Sequence, residues 1–285
     1  MIAHLQKSLH AKGLDIAAPF LAQTYNSACG KLPPLATFGR SRTLAVLVGN
    51  SRHLWPYFER HCAANPALVA GSADPLDDYV AQSVEDAVRE VSGGVGPSDE
   101  SSVSLSDAAS LGVPSSVFAD GTQSRTSVAM DGTLPAANKH TKSDIRYTCS
   151  KDDKFVHFQR LAHDVGVAFF NRTVFLCVHP TFGPWFAFRA VIVFDMDFDS
   201  DWGADLQLYK SPIPDPYPEC STQVQEWMDK FYAAAKEYSN RQHENHKYLI
   251  GARDAATRPE QLQYRYGPEQ LRYHYTKDKS VLGVV

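Results

Sequence analysis

No GxGxxG, no P-loop and no GxSxG occurs in the 285 residues, so any nucleotide or flavin must be held without a glycine fingerprint. Cysteine is scarce. The five, at 29, 62, 149, 177 and 220, are odd in number and contain no CxxC pair. That argues for reduced thiols in a cytoplasmic protein over a disulfide framework or a zinc site. A basic excess is also missing: the formal charge is −4 and the pI near 6.2, so nucleic acid is not an expected partner. No apolar run approaches the roughly 20 residues of a membrane span, so no membrane partner is expected. The first residues, Ile2–Ser8, read as the start of an amphipathic helix, without the apolar middle of a signal peptide.

What the chain does have is concentrated in one stretch, Cys177-Val178-His179-Pro180-Thr181-Phe182-Gly183-Pro184-Trp185-Phe186-Ala187-Phe188-Arg189. Two apolar runs, Val174–Val178 and Ala190–Phe194, flank it and read as buried strands. His-Pro and Gly-Pro punctuate the turn between them. Four rings and one guanidinium in so short a segment suit a large planar ligand with an anionic partner beside it.

Around this segment the pattern is mixed. Helices are expected over His4–Lys12, Ala18–Ala28, His53–Cys62, Phe155–Asn171 and Thr222–His246, and from Pro268. Asp74 and Pro75 should cap and open another over Leu76–Glu90. Thr43–Gly49 reads as a strand buried on both sides, and Asp144–Cys149 as a shorter one. Residues 92–142 are rich in Ser, Gly, Asp, Thr and Pro without period. They read as a disordered insertion within one domain spanning 1–285, with a phospho-acceptor loop as the alternative. The fold class expected is α+β, a central sheet flanked by helices.

Several polar constellations carry bland readings. The ladder Asp195, Asp197, Asp199, Asp201 lacks the glycine of a calcium loop; alternating with Met196, Phe198 and Trp202, it reads as an edge strand with a wet face. His243-Glu244-Asn245-His246 is not HExxH and reads as a solvated helix end. His163, between apolar helical positions, is by default a hydrogen-bonded core ring. Arg189 inside an apolar strand needs an anion, most often a protein carboxylate. Arg253 has its neighbour Asp254 at hand. Cys177 reads as a small hydrophobe, not a nucleophile. No catalytic residue and no metal site is assigned.

Taken together, these segments resemble the cytosolic cobalamin-processing family, that of cyanocobalamin reductase (cyanide-eliminating) and alkylcobalamin dealkylase, also known as the methylmalonic aciduria and homocystinuria type C family. The strongest piece is CVHPTFGPWFAFRAVIV, close to the family's CIHPxFGGWFAIRGVV. Pro19-Phe20 with Tyr25-Asn26, the strand TLAVLVG, Asp74-Pro75, Gln159 with Ala162-His163 and Gly166, Ala252-Arg253-Asp254-Ala255, and Pro268-Glu269-Gln270 follow in the right order.

The resemblance implies a fold similar to flavin-dependent nitroreductases and base-off binding of cobalamin. It implies removal of cobalamin's upper ligand, by flavin-dependent decyanation (FMN or FAD) or by transfer of an alkyl group to glutathione. An NADPH-dependent flavin reductase and a cobalamin-trafficking adaptor are the implied protein partners. By position, Gln159, His163, Phe170, Asn171 and Phe188 fall at cobalamin-contact places, and Arg189 and Arg253 at places that hold glutathione carboxylates. The chain departs from the pattern in having Phe169 and Phe170 for tyrosines and Pro184 for the second glycine of the turn. A third arginine has no clear match, Lys277 or Lys279 being the candidate stand-ins. The competing readings are a non-catalytic corrinoid chaperone and a flavin-dependent reductase of another substrate.

Overall fold

The computed structural model describes residues 1–93, 141–199, 214–216, 221–237 and 245–283. The segment 92–142 read as an insertion lies almost wholly outside the described residues, as do Asp201, Trp202, Cys220, His243 and Glu244.

Four strands form an antiparallel sheet in the order β1 (Ile16–Leu21), β2 (Thr43–Asn50), β6 (Ala187–Asp197) and β3 (Ser143–Tyr147). All eight residues of β2 are buried, as a doubly covered strand requires. Its alternate side chains serve two cores. Leu44, Val46 and Val48 join Ala190, Ile192 and Phe194 beneath α1 (Ile2–His10), α3 (Trp55–Ala64) and α5 (Pro75–Val91). Ala45 and Leu47 join Val191 and Val193 beneath α2 (Ala22–Ala28) and α6 (Phe158–Asp164). Each fully buried Val or Leu contributes about 1.5–3 kcal/mol, so two covered faces anchor the sheet firmly.

Helix α5 starts as expected: the Asp74 carboxylate accepts the Asp77 amide at 3.4 Å, with Pro75 in the first turn. A short helix α4 (Pro66–Gly71) precedes it. The helix expected over His53–Cys62 runs as a 3₁₀ turn at Arg52–Leu54 followed by α3.

Four expectations need correction. Ala18–Ala28 is not one helix: Ile16–Leu21 pairs with β2, and only Ala22–Ala28 coils. Pro19 is tolerated because β1 is an edge strand and its missing N–H breaks no ladder. Phe155–Asn171 likewise divides. Gly166, at φ +81°, stops α6 after Asp164, and Phe169–Asn171 becomes β4, paired with β5 (Leu176–Val178) in a separate hairpin. The helix expected over Thr222–His246 runs as α7 (Ser221–Glu237), and His246 instead opens α8 (His246–Ala255). Finally, Asp195 and Asp197 end an interior strand, not an edge one. Arg40 binds both, at 2.8 and 3.2 Å.

Helices α7 and α8 pack against the hairpin in a third core of Val174, Val178, Val224, Met228, Ala252 and Ala256. Gly251 admits the Trp227 ring so closely that a Cβ there would lie 2.5 Å from it. The last helix, α9 (Pro268–Thr276), begins at Pro268 as read from the sequence and sets Tyr273 into the first core. Among the described residues no helix is long and apolar enough to cross a membrane.

Candidate functional site

The aromatic turn is rigid. His179 and Gly183 exchange backbone hydrogen bonds of 2.8 Å, and the His179 Nδ1 accepts the amides of Thr181 (3.1 Å) and Phe182 (3.3 Å). Burial holds His179 down to a pKa of about 4, so its ring is the neutral acceptor this turn needs. Gly183 has φ +59° and faces Gln261, which donates to the Pro180 carbonyl at 2.9 Å. Trp185 and Phe186 are buried in the protein; of the four turn rings only Phe182 and Phe188 remain half-buried.

The residues given cobalamin-contact positions gather on the α6 side of the sheet. Phe188 stands edge-on to Phe186 (5.0 Å) and stacks over Phe158 (6.2 Å). Gln159 donates to the Phe175 carbonyl at 2.8 Å. Phe170 is buried beside His157 and Phe175. His163 is half-buried, not a core residue; its Nδ1 faces the Phe170 amide at 3.4 Å and its ring meets Phe169. Asn171 does a local job, its Oδ1 accepting the Thr173 and Val174 amides and closing the β4–β5 turn. Sequence reasoning missed Phe175. It sits at the tip with φ +54°, a costly conformation for a bulky residue, and is 58% exposed. Phe155 is exposed nearby in sequence. Exposed Phe175 and half-buried Phe182 and Phe188, over buried Phe170, make a ring-rich surface on this side of β6.

The two arginines lie elsewhere. Val48 pairs with Ala190 and Gly49 with Phe188, so Arg189 is an extra residue in β6, a β-bulge. The bulge reverses the alternation: Phe188 turns to the α6 face while Arg189 reaches Asp77 of α5. Arg189 is 9% exposed, donates from Nε to the buried Asn50 Oδ1 at 2.7 Å, and stands 3.8 Å from the Asp77 carboxylate. That pairing is loose. Burial and neighbouring Asp74 push the Asp77 carboxyl above its ordinary range, which the Arg189 charge only partly offsets.

Arg253, on α8, does not use its neighbour Asp254, which instead holds Arg265 through two bonds of 2.7 and 3.0 Å. Its guanidinium lies among the rings of Trp185 (5.5 Å), Tyr266 (5.8 Å) and Tyr275 (5.8 Å). Arg265 covers Trp185 as well, at 5.3 Å, and the indole N–H is fixed on Thr257 at 2.7 Å. His274 feels the charge of both arginines. Burial, then the charges of Arg253, Arg189, Lys277 and His246, hold its ring far below the ordinary imidazole range, so it is neutral. The structure therefore brings Arg189 and Arg253 into one cationic, ring-lined cluster. Of the two lysines, Lys277 borders it while bound to Asp74 at 2.7 Å; Lys279 is spent on the carbonyls of Val69 and Ser72. Tyr266, His274 and Tyr275 were not singled out from the sequence, and Trp185 only as part of the aromatic turn. The only signal was a tail rich in Tyr, Arg and Gln.

Among the described residues no group of His, Cys, Asp and Glu could hold a metal ion. Cys177 is pushed well above the ordinary thiol range by burial, which agrees with its reading as a small hydrophobe.

The chain is thus an α+β protein: an antiparallel sheet covered on both faces, with a ring wall on one side of β6 and a cationic cluster on the other. No family model and no curated protein sequence matches it. Among solved structures it shares the fold of a B12-trafficking protein CblC from C. elegans, described as a homologue of human MMACHC. The TM-score is 0.60 at 16% identity, over 99% of this chain and 92% of that one. The α+β class expected from the sequence is the class found.

Proposed function

We propose that this protein binds cobalamin base-off and removes its upper axial ligand. The observation that carries the reading is the shared fold over nearly the whole chain with a B12-trafficking protein, joined to a motif whose Phe188 and Arg189 head two distinct surfaces. The rings of Phe175, Phe182 and Phe188, backed by buried Phe170, offer the apolar face a corrin needs. Gln159 and His163 are the polar groups at its edge for the corrin amides. A nitroreductase-like central sheet belongs to the same reading, as does a single domain interrupted by a disordered insertion at 92–142.

Two reactions follow from the chemistry of the substrate. In decyanation, a bound reduced flavin, FMN or FAD, replenished by an NADPH-dependent partner, would supply the electron that cobalt(III) needs to release cyanide with the pair of its bond. The ring wall with Gln159 and His163 would hold the corrin in place. In dealkylation, the glutathione thiolate attacks the alkyl carbon; a carbon–sulfur bond forms, the carbon–cobalt bond breaks, and its electron pair stays on cobalt as cob(I)alamin. The protein's share is orientation. Arg189 and Arg253 hold the tripeptide's carboxylates, and their charge favours the thiolate. The bulge sets Arg189 on the other face of β6 from Phe188, so the thiol reaches the corrin around the Ala187 end of the strand.

Visible spectroscopy tests the reading. Methylcobalamin added to the protein should show the base-off shift, and glutathione should then drive a time-dependent change. A spectrum identical to free methylcobalamin refutes it. The trafficking name of the structural neighbour favours a second reading, a corrinoid chaperone, which predicts the shift without the thiol-dependent change.

A further inference from the structure

Two buried donors in the cationic cluster have no acceptor. The Tyr266 hydroxyl and the Arg253 Nη1 are each shielded from solvent and without a hydrogen-bond partner, although Tyr266 is only 2% exposed. Groups so buried are nearly always satisfied, and leaving them unsatisfied is costly. They belong to one assembly: the Tyr266 ring faces the Arg253 guanidinium at 5.8 Å and Trp185 at 5.6 Å, and Arg189 lies close enough to act on its phenol. The carboxylates nearby are engaged. Asp254 holds Arg265, Asp74 holds Lys277, Asp15 takes the Ser51 amide and hydroxyl, and Asp77 leans on Arg189. Donors therefore outnumber acceptors here. Burial holds the Tyr266 phenol above its ordinary range, against the pull of Arg253 and Arg189, so it remains a neutral donor. His274, neutral at the cluster's edge, adds no charge.

We propose that Tyr266, with Arg189 and Arg253, forms a carboxylate-receiving site in which its phenol donates to one carboxylate oxygen and Arg253 Nη1 to the other. A planar, singly charged acceptor matches one hydroxyl and one guanidinium edge, and a dianionic phosphate would bring a second charge toward Asp74 and Asp77. Arg253 is only partly buried, so the carboxylate enters along its side chain and meets the phenol beneath. The proposal rests on the reading of Arg189 and Arg253 as glutathione ligands and adds the residue that completes their site.

The test is calorimetric titration of the full chain and its Tyr266→Phe variant with glutathione, with glutarate as a thiol-free dicarboxylate, and with inorganic phosphate. Glutathione and glutarate should bind the variant roughly tenfold more weakly, phosphate should bind neither protein measurably, and the base-off shift with methylcobalamin should be unchanged. Because the hydroxyl is orphaned in the free protein, the variant should melt no lower than the parent; a marked fall in Tm overturns the proposal by revealing a structural partner. Equal glutathione affinity in both proteins overturns it while leaving the glutathione reading standing. Glutarate binding that depends on Tyr266, with no binding of glutathione, sustains the site and sinks the glutathione reading. Binding of neither by the parent, or of phosphate as tightly as carboxylate, overturns the site.

Discussion

Replacing Arg189 by alanine separates the two surfaces that β6 divides. Arg189 makes one close protein contact, the 2.7 Å bond to Asn50, and one loose one, 3.8 Å to Asp77. Truncation leaves the fully buried Asn50 carbonyl oxygen unsatisfied, at a cost of about 1–3 kcal/mol, and the loose ion pair adds little. The variant should thus fold and melt several degrees lower. Its effect on the thiol should be larger. A charge-assisted hydrogen bond to a carboxylate is worth about 1.5–3 kcal/mol, which at about 1.4 kcal/mol per decade raises the glutathione KM by roughly 10- to 100-fold. Arg189→Lys, keeping the charge and losing the fork, should fall between. Phe188 faces the opposite side, so cobalamin affinity should hold. The assay is methylcobalamin dealkylation followed by absorbance while glutathione is varied, beside a cobalamin titration. An unchanged glutathione KM in a folded variant refutes the assignment. A loss of cobalamin affinity as large as the loss for the thiol refutes the division of faces.

Stability should respond to pH through His179. Its folded pKa, about 4, lies below the unfolded value near 6.5. Above pH 6.5 neither state is protonated and the residue adds no pH dependence; as pH falls from 6.5 toward 4 the unfolded chain alone takes the proton, and up to about 3 kcal/mol is lost. His179→Asn keeps an acceptor for the Thr181 and Phe182 amides and should flatten that limb of a Tm–pH curve. Gly251→Ala drives a methyl into the Trp227 ring and should cost about 1–3 kcal/mol by denaturant melts; no loss would mean that α7 and α8 pack less closely. Thiol labelling at pH 8, read by mass spectrometry, should modify exposed Cys149 well before Cys62 or Cys177, since burial pushes Cys62 up to about 11 and Cys177 higher. Rapid modification of Cys177 would contradict its burial.

Local signals were legible where one short segment carries them. Thr43–Gly49 announced an interior strand through unbroken branched and apolar residues. Asp74-Pro75 announced a helix start because cap and proline act within one turn. The aromatic turn was visible as a segment, though not that Trp185 and Phe186 would be consumed by the core. Ala18–Ala28 and Phe155–Asn171 were misread because strand pairing with partners far along the chain overrides helical spacing, and nothing within either window reports those partners.

Pattern and motif alone gave the α+β class and drew notice to the aromatic turn and to Arg189 and Arg253. Only tertiary structure decided how they are used. A single extra residue in β6 turned Arg189 away from Phe188, and side chains from β2, β6, α5, α8 and α9 converged on one cluster. Such convergence depends on bulge geometry and on contacts between residues far apart in the chain, as between Arg189 and Asp77 or Asn50, and helical and strand periods record only neighbours within a turn or two.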